Sequence, residues 1–80
     1  MADYSQKDLP VRMNPDDLLR LDDGTTIRWE SSGEAKDIML NDDFMAACQL
    51  FPGNDFTVSA GGRDFRITTD FAEDILVEAI

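Results

Sequence analysis

The side chains in this chain that could do chemistry are its carboxylates. Eight of the 17 fall in four adjacent pairs: Asp16-Asp17, Asp22-Asp23, Asp42-Asp43 and Glu73-Asp74. Paired carboxylates serve glycosidases as acid and base, and two-metal enzymes as ligands. Asp16-Asp17, Asp22-Asp23 and Asp42-Asp43 lie at expected helix starts or turns, where backbone N–H groups account for an aspartate without any reaction. Glu73-Asp74 is the exception, inside an expected helix. A calcium loop needs alternating oxygen ligands and a glutamate at a fixed offset, which Asp37-x-x-x-Asn41-Asp42-Asp43 does not supply.

Other chemistries meet an obstacle of composition. There is no histidine and a single cysteine, Cys48. A serine–histidine–acid triad, a histidine metal ligand and a histidine-activated thiol are therefore all excluded. Cys48 lies in the uncharged stretch Met45-Ala46-Ala47-Cys48-Gln49-Leu50-Phe51, whereas a reactive thiolate wants a cation or a helix N-terminus nearby. It reads as a buried core thiol. Gly61-Gly62 lacks the lysine and flanking glycines of a phosphate loop and reads as a hairpin turn needing positive φ. No catalytic residue, metal or cofactor is expected, and the chain reads as a non-enzyme.

The elements that position the acids follow from periodicity. Residues 1–9 are polar and aperiodic, a flexible N-terminal arm before a single domain over 10–80. Asn14-Pro15-Asp16-Asp17 has the residues of a helix start and predicts a short helix over 15–21, ended by Asp22-Asp23-Gly24. Thr25–Glu30 alternates as a strand with Ile27 and Trp29 inward, and Lys36–Leu40 as a second with Ile38 and Leu40 inward. Asn41-Asp42-Asp43 then predicts another helix, with Phe44, Ala47, Cys48 and Phe51 on one face and Pro52-Gly53 at its end.

The same order returns in the second half. Phe56–Ala60 and Asp64–Thr68 read as strands, and Thr69-Asp70 opens a helix with Phe71, Ala72, Ile75, Leu76 and Ala79 as its apolar stripe. The expected fold is α+β: a short helix, then a β-β-α pattern used twice, with a four-stranded antiparallel sheet covered on one face by helices. A weaker alternative makes the last helix a strand, because Ile75-Leu76-Val77 has β character. Arg28, Met39, Thr57 and Arg66 face away from the core, which leaves the open sheet face mixed or basic.

Charge supplies the functional signal. The chain of 80 residues carries 17 acids and 7 bases, a formal charge of −10. Solubility alone asks for about 2–8 units in a small domain. Such a surface repels nucleic acid and anionic membranes and attracts basic partners. No apolar run approaches the ~20 residues of a membrane span, and no signal peptide is evident, so a cytoplasmic protein is expected. The informative acids are Asp42, Asp43, Asp70, Glu73, Asp74 and Glu78, which two neighbouring helices would present as a ridge. Duplex DNA carries one charge per ~1.7 Å of axis, a density such a ridge approximates.

In size, charge and doubled β-β-α pattern, the chain resembles small acidic phage-encoded inhibitors of the anti-restriction and anti-CRISPR kind, several of which look like DNA to their targets. The resemblance rests on bulk character over the whole chain, without a motif. It implies a stoichiometric inhibitor in the bacterial cytoplasm, acting on a protein with a basic nucleic-acid-binding groove. The competing expectation is an interaction module, regulatory subunit or antitoxin that binds through an apolar patch at Met39 or Met45.

Overall fold

The computed structural model describes residues 2–33, 35–69 and 73–80, with the side chains of residues 32 and 43–48 outside that description. The chain forms β1 (Asp3–Ser5), a 3-10 turn (Gln6–Asp8), β2 (Val11–Met13), β3 (Leu18–Arg20), β4 (Thr26–Ser32), β5 (Ala35–Leu40), β6 (Asp43–Leu50), β7 (Asp55–Ala60), β8 (Arg63–Thr68) and β9 (Ile75–Ala79). The expected α+β fold is thereby overturned: no α-helix occurs among the described residues. Residues 3–8, within the segment read as an arm, hold β1 and the 3-10 turn.

Two sheets replace the expected single sheet. One runs β1-β3-β4-β5-β6 and the other β2-β9-β8-β7. All pairings are antiparallel except β1 with β3. The chain enters the first sheet with β1, crosses to the second with β2, and returns for β3. Two three-stranded meanders then follow, β4-β5-β6 and β7-β8-β9. The doubled order read from the sequence is visible in them, with a strand wherever a helix was expected.

The core lies between the sheets. Leu19, Ile27, Trp29, Ile38 and Leu50 of the first sheet meet Val11, Met13, Val58, Phe65, Ile67, Ile75 and Val77 of the second in one buried cluster, which Leu21 joins. Leu40 and Phe56, expected inside, are half-buried against it. Two polar ties cross the core. Trp29 donates its indole N–H to the Met13 carbonyl at 2.9 Å. Lys36, whose Nζ lies 5.3 Å from the Trp29 ring centroid, donates to Thr69 Oγ1 and, at 2.6 Å, to the Asp74 carbonyl. A buried indole N–H requires such an acceptor, so the first tie fixes β2 against β4.

Each misread helix has a local reason. At Asn14-Pro15-Asp16-Asp17, proline serves a turn as well as it serves a helix start. Asn14 O accepts the Asp17 N–H at 3.1 Å, and Asp16 sits at φ 75°. The buried Asp17 carboxylate accepts the N–H groups of Asn14 at 2.8 Å and Ala2 at 2.9 Å. At Asn41-Asp42 both residues are left-handed, φ 54° and 63°, between the paired Leu40 and Asp43. That is a tight hairpin turn, a conformation Asn and Asp tolerate better than most residues. Over 75–79, Ile75 and Val77 are buried while Leu76 and Glu78 are half-exposed, the period of a strand.

Candidate functional site

The turns place the acids. β4 begins beside two of them. Thr26 O accepts the Asn41 N–H at 2.9 Å, and Asn41 Oδ1 accepts the Thr26 N–H at 3.1 Å. Thr25, one residue earlier, closes the 21–25 loop by accepting the Leu21 N–H at 2.8 Å. The loop and the 41–42 turn therefore share one end of the first sheet. The β7–β8 hairpin tip reaches the same end. Gly61, at φ 59°, lies so close to Asp23 that a β-carbon there would stand 3.4 Å from Asp23 Cβ. The positive φ favours glycine at 61, and the approach to Asp23 places the hairpin tip against the 21–25 loop.

Asp22, Asp23, Asp42 and Asp64 are exposed at this end. Asp43 opens β6 there, opposite Leu40, with its side chain outside the description. Arg28 bonds Asp42 at 3.3 Å, an exposed pair of the kind that contributes little. Arg63 lies at the same hairpin. Asp23 is held as a fixed anion. The Thr25 backbone N–H, 2.9 Å from Oδ1, keeps its carboxyl below the usual carboxylate range, with help from the Thr25 hydroxyl and the Gly61 N–H. Asp64 accepts the Ser59 hydroxyl at 2.7 Å.

The helical ridge expected from Asp42, Asp43, Asp70, Glu73, Asp74 and Glu78 is not formed as two helices. Asp42 and Asp43 belong to the turn end. Glu73 is exposed in the link between β8 and β9, and Asp70 lies outside the described residues. Asp74 is half-buried and bonds Arg12 at 3.4 Å. Glu78 is half-buried on β9, across from Arg66 on the outer face of the second sheet. Asp74 and Glu78 thus face arginines. The aspartates that the sequence assigned only to a turn, Asp22 and Asp23, are the ones joined to Asp42. The signal was available: acids lie in or beside the 21–25, 41–42 and 61–62 turns, but only the strand topology brings those turns together.

The open sheet face read from the sequence is split. Arg28 and Met39 lie on the outer face of the first sheet, Thr57 and Arg66 on that of the second. Met39 is buried, at 7% exposure, apart from the central core cluster, so it offers no free apolar patch. Met45 and Cys48 have side chains outside the description. A depression of about 170 Å³ on the second sheet, lined by Arg12, Thr68, Thr69, Asp74 and Leu76, is smaller than the ~300–1,000 Å³ typical of small-molecule sites. Among the described residues no three potential metal ligands converge, and no helix is long and apolar enough to cross a membrane.

Compared with protein-family models, curated proteins and solved structures, the chain matches none.

Proposed function

We propose that this protein is a stoichiometric, non-catalytic inhibitor. Its acidic end occupies the basic groove of a bacterial nucleic-acid-binding protein in place of a phosphate backbone. The observation that carries the reading is the convergence of the 21–25 loop, the 41–42 turn and the 61–62 tip, with exposed Asp22, Asp23, Asp42 and Asp64. Fixed carboxylates on tight turns are preorganised, so a basic groove would meet them without ordering long side chains. Asp42 adds a second support: aspartate tolerates the left-handed position it holds, so the 41–42 turn carries a charge where glycine would carry none.

The test is capture from a bacterial lysate on the immobilised protein, with duplex DNA as competitor. A nucleic-acid-binding protein should be retained, released by DNA, and lost when Asp22, Asp23, Asp42 and Asp64 are all changed to Asn. Retention indifferent to both treatments would favour a non-mimic interaction module instead.

A further inference from the structure

The two sheets have four edges, and three are blunted. β1 and β2 are three residues each, and β2 is bracketed by Pro10 and Pro15. β6 is interrupted by a register shift against β5, between Asp37 and Met39. Short strands, prolines and bulges are the standard protections against unwanted strand pairing. β7 has none of them. It pairs with β8 without interruption from Asp55–Thr68 to Ala60–Arg63, contains no proline, lysine or arginine, and has no strand on its other side among the described residues.

We propose that the β7 edge is a docking site for an extended segment of a basic protein partner, which adds to the second sheet as a further strand. Main-chain hydrogen bonds would supply affinity and alternate side chains specificity. The inward residues Phe56 and Ala60 are only half-buried, so apolar side chains at alternate positions of the incoming strand extend the core over them. The outward residues Asp55, Thr57 and Ser59 are exposed; Asp55 favours lysine or arginine opposite, and Thr57 and Ser59 favour threonine. Charge selects the occupant. A second copy brings another −10. A basic segment meets Asp55 at one end of β7, and at the other it runs toward Asp23 and Asp64, which there outnumber Arg63. The proposal rests on the acidic-end reading only for the sign of the partner.

The probe is a ten-residue peptide of alternating valine and lysine, titrated to about 1 mM into the full isotopically labelled chain. The control is an alternating proline–lysine peptide of equal length and charge, which cannot pair as a strand. The valine–lysine peptide should shift β7 amides and slow their hydrogen exchange, and should bind at least tenfold more tightly than the control. Thr57→Lys, at an exposed outward position, should weaken it at least tenfold. Equal binding of the two peptides, shifts confined to the acidic end, or no binding overturns the proposal. The quadruple Asn variant separates the two readings. If it still shows β7 protection by the peptide and still holds the nucleic-acid-binding partner, the acidic-end reading fails and the edge proposal stands.

Discussion

At the scale of single residues, the informative positions are aspartates doing two jobs. Asp42 closes a tight turn and presents a charge. Replacing it with glycine relieves the left-handed strain and forms the favoured Asn-Gly turn, at the cost of an exposed ion pair with Arg28. Asp42→Gly should therefore raise the midpoint of urea unfolding while weakening partner binding. Loss of stability would mean that Asp42 is a turn residue and nothing more. Asp23 gives a pH signature. Its carboxyl is held below the usual range, first by the Thr25 backbone N–H, so its stabilising contribution is complete above the unfolded value of about 3.9. That contribution is lost as pH falls through the lower folded value. Asp23→Asn should lower the melting temperature at pH 7, and the difference should vanish at strongly acidic pH; a difference constant with pH would contradict the assignment.

At the scale of elements, β9 separates the observed fold from the helix expected in its place. The strand buries Ile75 and Val77 and leaves Leu76 half-exposed. Val77→Ala should cost about 2 kcal/mol and Leu76→Ala less than about 1. A helix with Ile75, Leu76 and Ala79 on its apolar stripe requires the reverse order. β4, β5, β7 and β8 were legible because alternation over five or six residues admits one reading, and Ile27, Trp29, Ile38, Phe65 and Ile67 are buried as that alternation requires. β3 and β6 were not, and β9 was legible only as the weaker alternative that the β character of Ile75-Leu76-Val77 offered. Met45-Ala46-Ala47-Cys48-Gln49-Leu50 favours a helix by intrinsic propensity, and only pairing with β5 overrides it. Asn14-Pro15 and Asn41-Asp42 mislead because helix starts and turns recruit the same residues. The acidic end was half legible: its charges are in the sequence, but their meeting depends on which strand pairs with which.

At the scale of the molecule, the chain packs −10 into extents of 31 × 24 × 22 Å. Ion pairs such as Arg12–Asp74 and Arg28–Asp42 leave the net charge of −10 in place, so the surface repels itself. Raising NaCl from about 20 to 500 mM shortens the Debye length to a few ångströms. Relief of about 1 kcal/mol of repulsion would raise the melting temperature by roughly 4–8 °C in a domain of this size. A melting temperature indifferent to salt would mean that the charges are too dispersed to matter. The same repulsion, turned outward, is what a basic groove would neutralise.

The most direct measurement is the salt dependence of binding to the captured partner, compared with that of the quadruple Asn variant at Asp22, Asp23, Asp42 and Asp64. An interaction carried by the acidic end loses at least tenfold in affinity between about 50 and 300 mM NaCl, and the variant flattens that slope. A wild-type affinity insensitive to salt, or a variant with the same slope, would contradict it.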